Sequence, residues 1–186
     1  MNMYHNLIKN SPKIGVFGSD GDHCTEKAKQ IAYEVGKILA ENKAIIFTGG
    51  GSGVMEFASK GASDFGGIVI NILSGEKAEQ GNKYSSITIP TGIGFARSQV
   101  LTNSVDGAIL IEGGLGTHQE AAFMYWLRKP TVAIKSSGGT ATNIAGKILD
   151  KRNLDPILSA ENAQEAVKII LNKLIEISSY QIRNSI

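Results

Sequence analysis

One cysteine, four prolines and one tryptophan in 186 residues put several architectures out of reach. Cys24 stands alone and cannot close an intramolecular disulfide, so the fold has to rest on its core, and such sparing cysteine use fits the cytosol. Low proline excludes a proline-rich linker or a collagen-like repeat. Neither charge sign dominates: 19 Lys and Arg face 17 Asp and Glu, for a net charge of +2. No basic cluster stands out, which disfavours nucleic-acid binding, because its electrostatic term needs concentrated positive charge. No apolar run approaches the ~18 residues of a membrane span, and the first residues, MNMYHNLIKNSPK, lack the apolar core of a signal peptide. We therefore expect a cytoplasmic protein with neither nucleic acid nor membrane as partner.

What the chain does have is glycine, 22 residues or about 12% of the total, against roughly 7% in average usage. Hydrophobic residues make up 42% and charged residues 19%, the balance of an ordinary globular domain. A chain of this length buries roughly 70% of its unfolded surface, enough for one core, so residues 1–186 are read as a single domain. Residues 1–12 form an N-terminal extension and 178–186 a tail without strong pattern.

From Lys13 onward, short β-branched runs alternate with helical patterns. KIGVFGS, AIIFTGGG, IVINIL, SITIP, DGAILIEGG and TVAIK read as strands. Between the first two, Ala28, Ile31, Ala32, Val35, Ile38 and Leu39 recur at spacings of three and four, which is one helix face, with Thr25 as its N-cap. GVMEFASKGASDFG is a second helix closed by Gly66 and Gly67. Further helices are expected over Phe95–Ser104, Thr117–Leu127, Gly139–Asp150 and Glu161–Ile177. The polar stretch SGEKAEQGNKYS is a loop long enough to be a functional flap. Apolar strands alternating with helices are the signature of a parallel sheet covered on both faces. We expect an α/β, Rossmann-like doubly wound sheet of about six or seven strands; a (β/α) barrel needs about 250 residues.

Ligands of such sheets bind beyond the carboxyl ends of the strands, and 14 of the 22 glycines fall at or just after those ends. They are Gly18, Gly21, Gly49, Gly50, Gly51, Gly53, Gly75, Gly92, Gly94, Gly113, Gly114, Gly116, Gly138 and Gly139. Two clusters, Gly49–Gly53 around Ser52 and Gly113–Thr117, run straight into helices. Glycine lets backbone N–H groups approach an anion, and a helix N-terminus adds unpaired donors and a favourable dipole. One such turn is often only a tight connection; two in one short domain point to phosphate or carboxylate binding. Neither is a GxxxxGK[ST] P-loop or a GxGxxG fingerprint, and no ribose-binding acid ends the second strand, so NAD is not the expected ligand.

Ionisable residues flank both clusters. Glu120 falls in the first turn of its helix if Gly116 or Thr117 is the cap; there it faces the site mouth or serves only as a capping-box acid. Arg97 opens the helix after Thr91, Gly92 and Gly94. A cation there opposes the dipole, which hints at an anionic partner, an ordinary surface arginine being the alternative. Glu56 caps its helix or faces the site. Asp20, Asp22, His23 and Cys24 crowd one loop with no second cluster, so no metal site is expected. His118 lacks a Ser or Cys partner for a triad. Met55, Met124 and Trp126 read as helix packing.

GGLGTHQE, Gly113–Glu120, resembles the PGGxGTxxE motif of the LOG family, the cytokinin-activating phosphoribohydrolases long misannotated as lysine decarboxylases. GGGSGVMEFASKGA, from Gly49 to Ala62, is similar to the family's GGG-x-GLM segment. Arg97 stands nine residues before Asp106, the family spacing from its arginine to the fifth strand, and VFGSDGD looks like its first βα loop. The resemblance covers about Lys13 to Ile134. It departs at Glu112, where the motif has proline, and TGIGFAR looks closer to a sister branch that includes molybdenum-cofactor carrier proteins.

The resemblance implies an enzyme that hydrolyses the N-glycosidic bond of a nucleoside 5′-monophosphate to free base and ribose 5-phosphate, with no cofactor required. Glu120 would stabilise the oxocarbenium-like state and position water, and Arg97 would orient the ligand. Gly114, Gly116 and Thr117 would hold the phosphate, with Gly50, Gly51 and Ser52 completing the cradle and Gly18, Ser19, Gly49, Gly53, Thr91, Gly92 and Gly113 around it. The alternative it implies is a non-catalytic carrier of the molybdenum cofactor, a pterin, or another phosphorylated ligand. Lysine decarboxylation has no support, because no lysine follows a recognisable pyridoxal-phosphate motif. Family members are homo-oligomers, and the helix from Thr117, apolar around more than one face, is either deeply buried or shared with a partner; a dimer or tetramer is expected.

Overall fold

The computed structural model describes residues 10–152 and 154–183. Its frame is a seven-stranded, all-parallel sheet in the order β4-β3-β2-β1-β5-β6-β7. In chain order the elements are β1 (Lys13–Gly18), α1 (Glu26–Glu41), β2 (Ile45–Thr48), α2 (Val54–Asp64), β3 (Ile68–Leu73), β4 (Ile87–Pro90), α3 (Arg97–Asn103), β5 (Gly107–Ile111), α4 (Leu115–Trp126), β6 (Thr131–Ile134), α5 (Gly139–Ile144), β7 (Leu158–Ala160) and α6 (Ala163–Arg183). The expected α/β doubly wound, Rossmann-like architecture is the one found.

Strand alternation divides the apolar residues between two cores. Ile14, Val16, Ile109, Ile111, Val132 and Ile134 face α1, α2 and α6. Phe17, Ala108, Leu110 and Ala133 face α3, α4 and α5. Both faces of the central strands are covered, which is why those strands read as continuous apolar runs. Thr25 caps α1 as expected, its hydroxyl accepting from the Ala28 N–H at 3.1 Å.

Several boundaries differ from the sequence reading. β7 has three residues, too few to show an alternation. α5 ends at Ile144 rather than Asp150. α6 continues through Arg183, so residues 178–183 of the expected tail are helical. Residues 1–9 of the expected N-terminal extension and 184–186 of the tail lie outside the described residues. Met124 packs in the core as expected, whereas Trp126 is 65% exposed. No described helix is long and apolar enough to cross a membrane.

The chain winds outward from β1 in both directions, so the strand order reverses between β1 and β5. At this switch point the loops leaving the two strands separate and open a crevice, the general ligand position of open parallel sheets.

Candidate functional site

The crevice holds a cavity of about 400 Å³. Gly18, Ser19, Asp20 and His23 line it from the loop after β1, and Gly49 and Met55 from the loop and helix after β2. Phe95, Arg97 and Ser98 enter from the start of α3, and Gly114, Leu115, Gly116, Thr117 and Glu120 from α4.

Backbone constraints explain why the rim is glycine. Gly53 has φ +65°, and a Cβ on it would stand 2.5 Å from the Ser19 carbonyl oxygen. That carbonyl accepts the Val54 N–H at 2.9 Å, which ties the first loop to the N-terminus of α2. A Cβ on Gly49 would lie 2.6 Å from Arg97 Nη1, so the missing side chain is the space the guanidinium occupies. Gly114 and Gly116 have nothing within 4 Å of a notional Cβ among the described residues; they face open space.

α4 begins at Leu115 with Gly114 as its cap. Glu120 therefore sits in the second turn, not the first, and it is not a capping-box acid. An α-helix leaves its first N–H groups without intrahelical partners; here those donors belong to Leu115, Gly116 and Thr117, beside the cavity. With the helix dipole they form a ready seat for an anion.

The expected rim residues divide into two groups. Gly18, Ser19, Gly49, Gly114, Gly116 and Thr117 line the cavity together with Arg97 and Glu120. The others have polar groups engaged elsewhere. The Gly50 N–H donates to Thr48 Oγ1 at 2.9 Å, the Gly113 N–H to Ser19 Oγ at 2.9 Å, and Ser52 Oγ accepts from the Gly21 N–H at 2.9 Å. Thr91 Oγ1 donates to the Leu73 carbonyl at 2.6 Å, and the Gly92 N–H to that of Gly75 at 2.9 Å. The carbonyls of Gly50 and Gly51 accept from Asn82, which pins the 74–85 loop over the Gly49–Gly53 cluster. These residues build the loops that shape the cavity.

At its floor, Arg97 Nη1 lies 3.4 Å from Glu120 Oε1, and Ser98 Oγ donates to the same oxygen at 3.5 Å. Glu120 is 7% exposed. Burial pushes its carboxyl up to about 7, against the opposing pull of Arg97 and Ser98. Burial likewise lowers the pKa of Arg97, with Glu120 opposing. At 3.4 Å and without a bidentate contact, their attraction does not offset the loss of water. Arg97 Nε is buried and has no hydrogen-bond partner among the described residues. An orphaned charged donor beside a glycine-lined cavity is a group with capacity for an anion.

At the mouth, His23 Nδ1 and Asp20 Oδ1 are 2.8 Å apart, and this contact raises the histidine pKa. Phe95 and Leu115 stand 85% and 91% exposed at the rim. Sequence reasoning left Ser98, Phe95 and Leu115 out of the site. The first two flank Arg97 in sequence, which is the signal that could have found them.

The model of the SLOG cluster4 family matches residues 11–167. The chain belongs to that family. Among solved structures, this SLOG protein is similar to the structural-genomics protein TM1055, with 36% identity, TM-score 0.81, and coverage of 87% of this chain and 99% of that one. It is similar to the molybdenum cofactor carrier protein of Chlamydomonas reinhardtii, with 29% identity, TM-score 0.78, and coverage of 90% and 99%. It is also similar to the molybdenum cofactor binding protein of Rippkaea orientalis, with 26% identity, TM-score 0.74, and coverage of 89% and 98%.

Proposed function

We propose that this SLOG protein binds a phosphorylated small molecule in the switch-point cavity and acts as a carrier of it, with the molybdenum cofactor as the leading ligand. One observation carries the binding reading: the open N-terminus of α4 and the buried, incompletely partnered Arg97 face the same glycine-lined cavity. The likeness to two molybdenum-cofactor proteins along nearly their whole length supports the choice of cargo. The phosphate sits on the N–H groups of Leu115, Gly116 and Thr117, and the ring system lies toward Phe95 and Met55, the apolar members of the lining. The test is equilibrium binding of the purified cofactor and of AMP to wild type and to Arg97→Met. Arg97→Met is expected to weaken binding at least about tenfold, the scale of a charge-assisted contact; unchanged affinity would remove Arg97 from the site and the reading with it.

A second reading is favoured by Glu120, whose carboxyl at the cavity floor is poised near neutrality. A carrier has no need of such a group. In N-glycosidic hydrolysis of a nucleoside 5′-monophosphate it stabilises the charge growing on the ribose and directs water to the anomeric carbon, the leaving base taking up a proton. The base form is the active one, so base release rises with pH through about 7. Chromatography of AMP incubations decides between the two: release that follows this profile and vanishes in Glu120→Ala establishes the hydrolase, and none from any purine monophosphate leaves the carrier.

A further inference from the structure

The loop after β1 brings a second pair of ionisable groups to the cavity, apart from Arg97 and Glu120. Gly21–His23 form one turn of 3-10 helix with Asp20 as its cap. The backbone closes this turn, the His23 N–H donating to the Asp20 carbonyl at 3.2 Å. Neighbouring loops hold it in place: the Gly21 N–H donates to Ser52 Oγ, while the Ser19 hydroxyl and carbonyl accept the N–H groups of Gly113 and Val54. The side-chain contact between Asp20 and His23 at 2.8 Å is therefore not what fixes the loop, and an exposed pair of this kind adds little stability. What the contact does is orient an imidazole. A carboxylate only accepts, so Nδ1 carries the proton they share, and Nε2 is the nitrogen the pair offers a ligand. Both residues line the cavity.

We propose that His23, positioned by Asp20, is a specificity-determining residue of the site: Nε2 hydrogen-bonds the polar edge of the ligand's ring, and because it accepts when the imidazole is neutral and donates when it is protonated, the preference between amino-bearing and oxo-bearing rings depends on pH. The inference rests on the phosphate-binding reading of the cavity. With an anion seated at α4, a volume of about 400 Å³ leaves room for a ring between that seat and the mouth. The mouth is where His23 and Phe95 stand, both largely exposed and both part of the lining. A ring lying toward Phe95 and Met55 meets His23 at its edge.

The protonation of His23 is set within its own turn. Asp20 raises the pKa above the ordinary 6.5, first through the hydrogen bond and then through its charge; burial opposes this, and Asp22 adds to it. Charged groups on the surrounding elements are engaged with other partners: Arg97 of α3 with Glu120 of α4, Glu26 with Lys29 on α1 at 2.6 Å, and Glu112 with the Thr25 N–H. Glu56 stands in the first turn of α2. None of these is among the charges that move the histidine. Below its pKa the imidazolium donates from both nitrogens; above it Nδ1–H remains on Asp20 and Nε2 accepts. AMP and IMP present opposite patterns along one ring edge, a 6-amino group beside a bare N1 against a 6-oxo group beside N1–H. A group that turns from donor to acceptor ranks them differently on the two sides of its pKa.

The experiment measures calorimetric affinities for inorganic phosphate, AMP and IMP at intervals from about pH 5.5 to pH 8. It uses a Glu120→Gln background, which removes the titration at the cavity floor and any turnover. The AMP-to-IMP affinity ratio is the readout, because ionisation of the phosphate is common to both nucleotides. The ratio is expected to change at least about fivefold across this range, the scale of one hydrogen bond. His23→Leu should abolish the change and leave the affinity for inorganic phosphate within about twofold. Asp20→Asn keeps an acceptor for Nδ1 but removes the charge, and should move the midpoint of the change to lower pH; an unmoved midpoint overturns the positioning role of Asp20. A flat ratio in the parent, or the same change in His23→Leu, overturns the role of His23 while the phosphate site stands. Nucleotides bound no more tightly than inorganic phosphate overturn it too, since the ring is then not held. Binding of none of the three overturns the phosphate reading itself, and this inference with it.

Discussion

Glu120 is the buried carboxyl group at the floor of the cavity, and its protonation makes a prediction independent of any ligand. Its carboxyl is raised from an ordinary value near 4.5 to about 7 by burial. Between those values the folded chain binds a proton that the unfolded chain has released. Stability from this group is therefore fully present below pH 4.5 and is lost as pH rises toward 7, the reverse of a salt-bridged carboxylate. The ceiling is about 3 kcal/mol, since one pKa unit is worth about 1.4 kcal/mol. Glu120→Gln should flatten that segment, gaining stability over wild type at pH 8 but not at pH 4.5. Urea midpoints across this range check it, and parallel curves for the two proteins would show that the carboxyl titrates normally. Ser19 gives a second test at this scale. It is buried and its hydroxyl accepts the Gly113 N–H. Ser19→Ala leaves that donor unpaired, at a cost of about 1–3 kcal/mol by urea denaturation, and loosens the loop that carries α4's first turn.

At the scale of elements, the glycines do two kinds of work, and only one was legible in the sequence. Those at strand ends announce themselves by position. Gly36 and Gly61 lie inside helices, where glycine costs roughly 0.5–1 kcal/mol relative to alanine. Their purpose shows only once α1 and α2 are packed: a Cβ on Gly36 would stand 2.0 Å from the Ala58 carbonyl oxygen, and one on Gly61 2.0 Å from that of Tyr33. The two helix backbones touch at reciprocal glycines. Gly61→Ala should consequently destabilise the fold by about 2–3 kcal/mol despite its better helix propensity, as overpacking does; a stabilised variant in chemical denaturation would refute the close crossing. The same contrast explains the other misses. Six strands were readable because β-branched runs leave a local signature. β7 was not, because three residues are too few to carry a period. The start of α4 was placed late because its cap is a glycine without a side-chain hydrogen bond, and with it Glu120 was placed one turn too early. Arg97 and Glu120 were found by their neighbours in sequence, whereas the engagement of the Gly50 and Gly113 N–H groups depends on partners in other loops.

At the scale of the whole molecule, the question is what covers the outer side of α4. That helix is apolar on more than its core side. Ala121, Met124 and Tyr125 pack inward, while Leu115 and Trp126 are 91% and 65% exposed and the adjoining Leu127 is also exposed. The Arg152 guanidinium is stacked on Trp126, 4.2 Å from the ring centroid. Exposed apolar side chains grouped along one helix mark association surfaces more often than solvated ones, and a C2 pair through one helix face brings like residues together. The expected outcome is self-association, and the single tryptophan makes it visible. Sedimentation should show a species larger than the 19.8 kDa monomer. Dilution should shift the Trp126 emission to the red as the ring returns to water. Trp126→Lys should shift the equilibrium to monomer with the far-ultraviolet circular dichroism unchanged, because the side chain contributes little to either core. Leu115 links this surface to the site, since it opens α4 and lines the cavity. If that face is covered by a second copy, the monomeric variant should also lose ligand affinity; a monomeric wild type with full affinity would place the whole site within one chain.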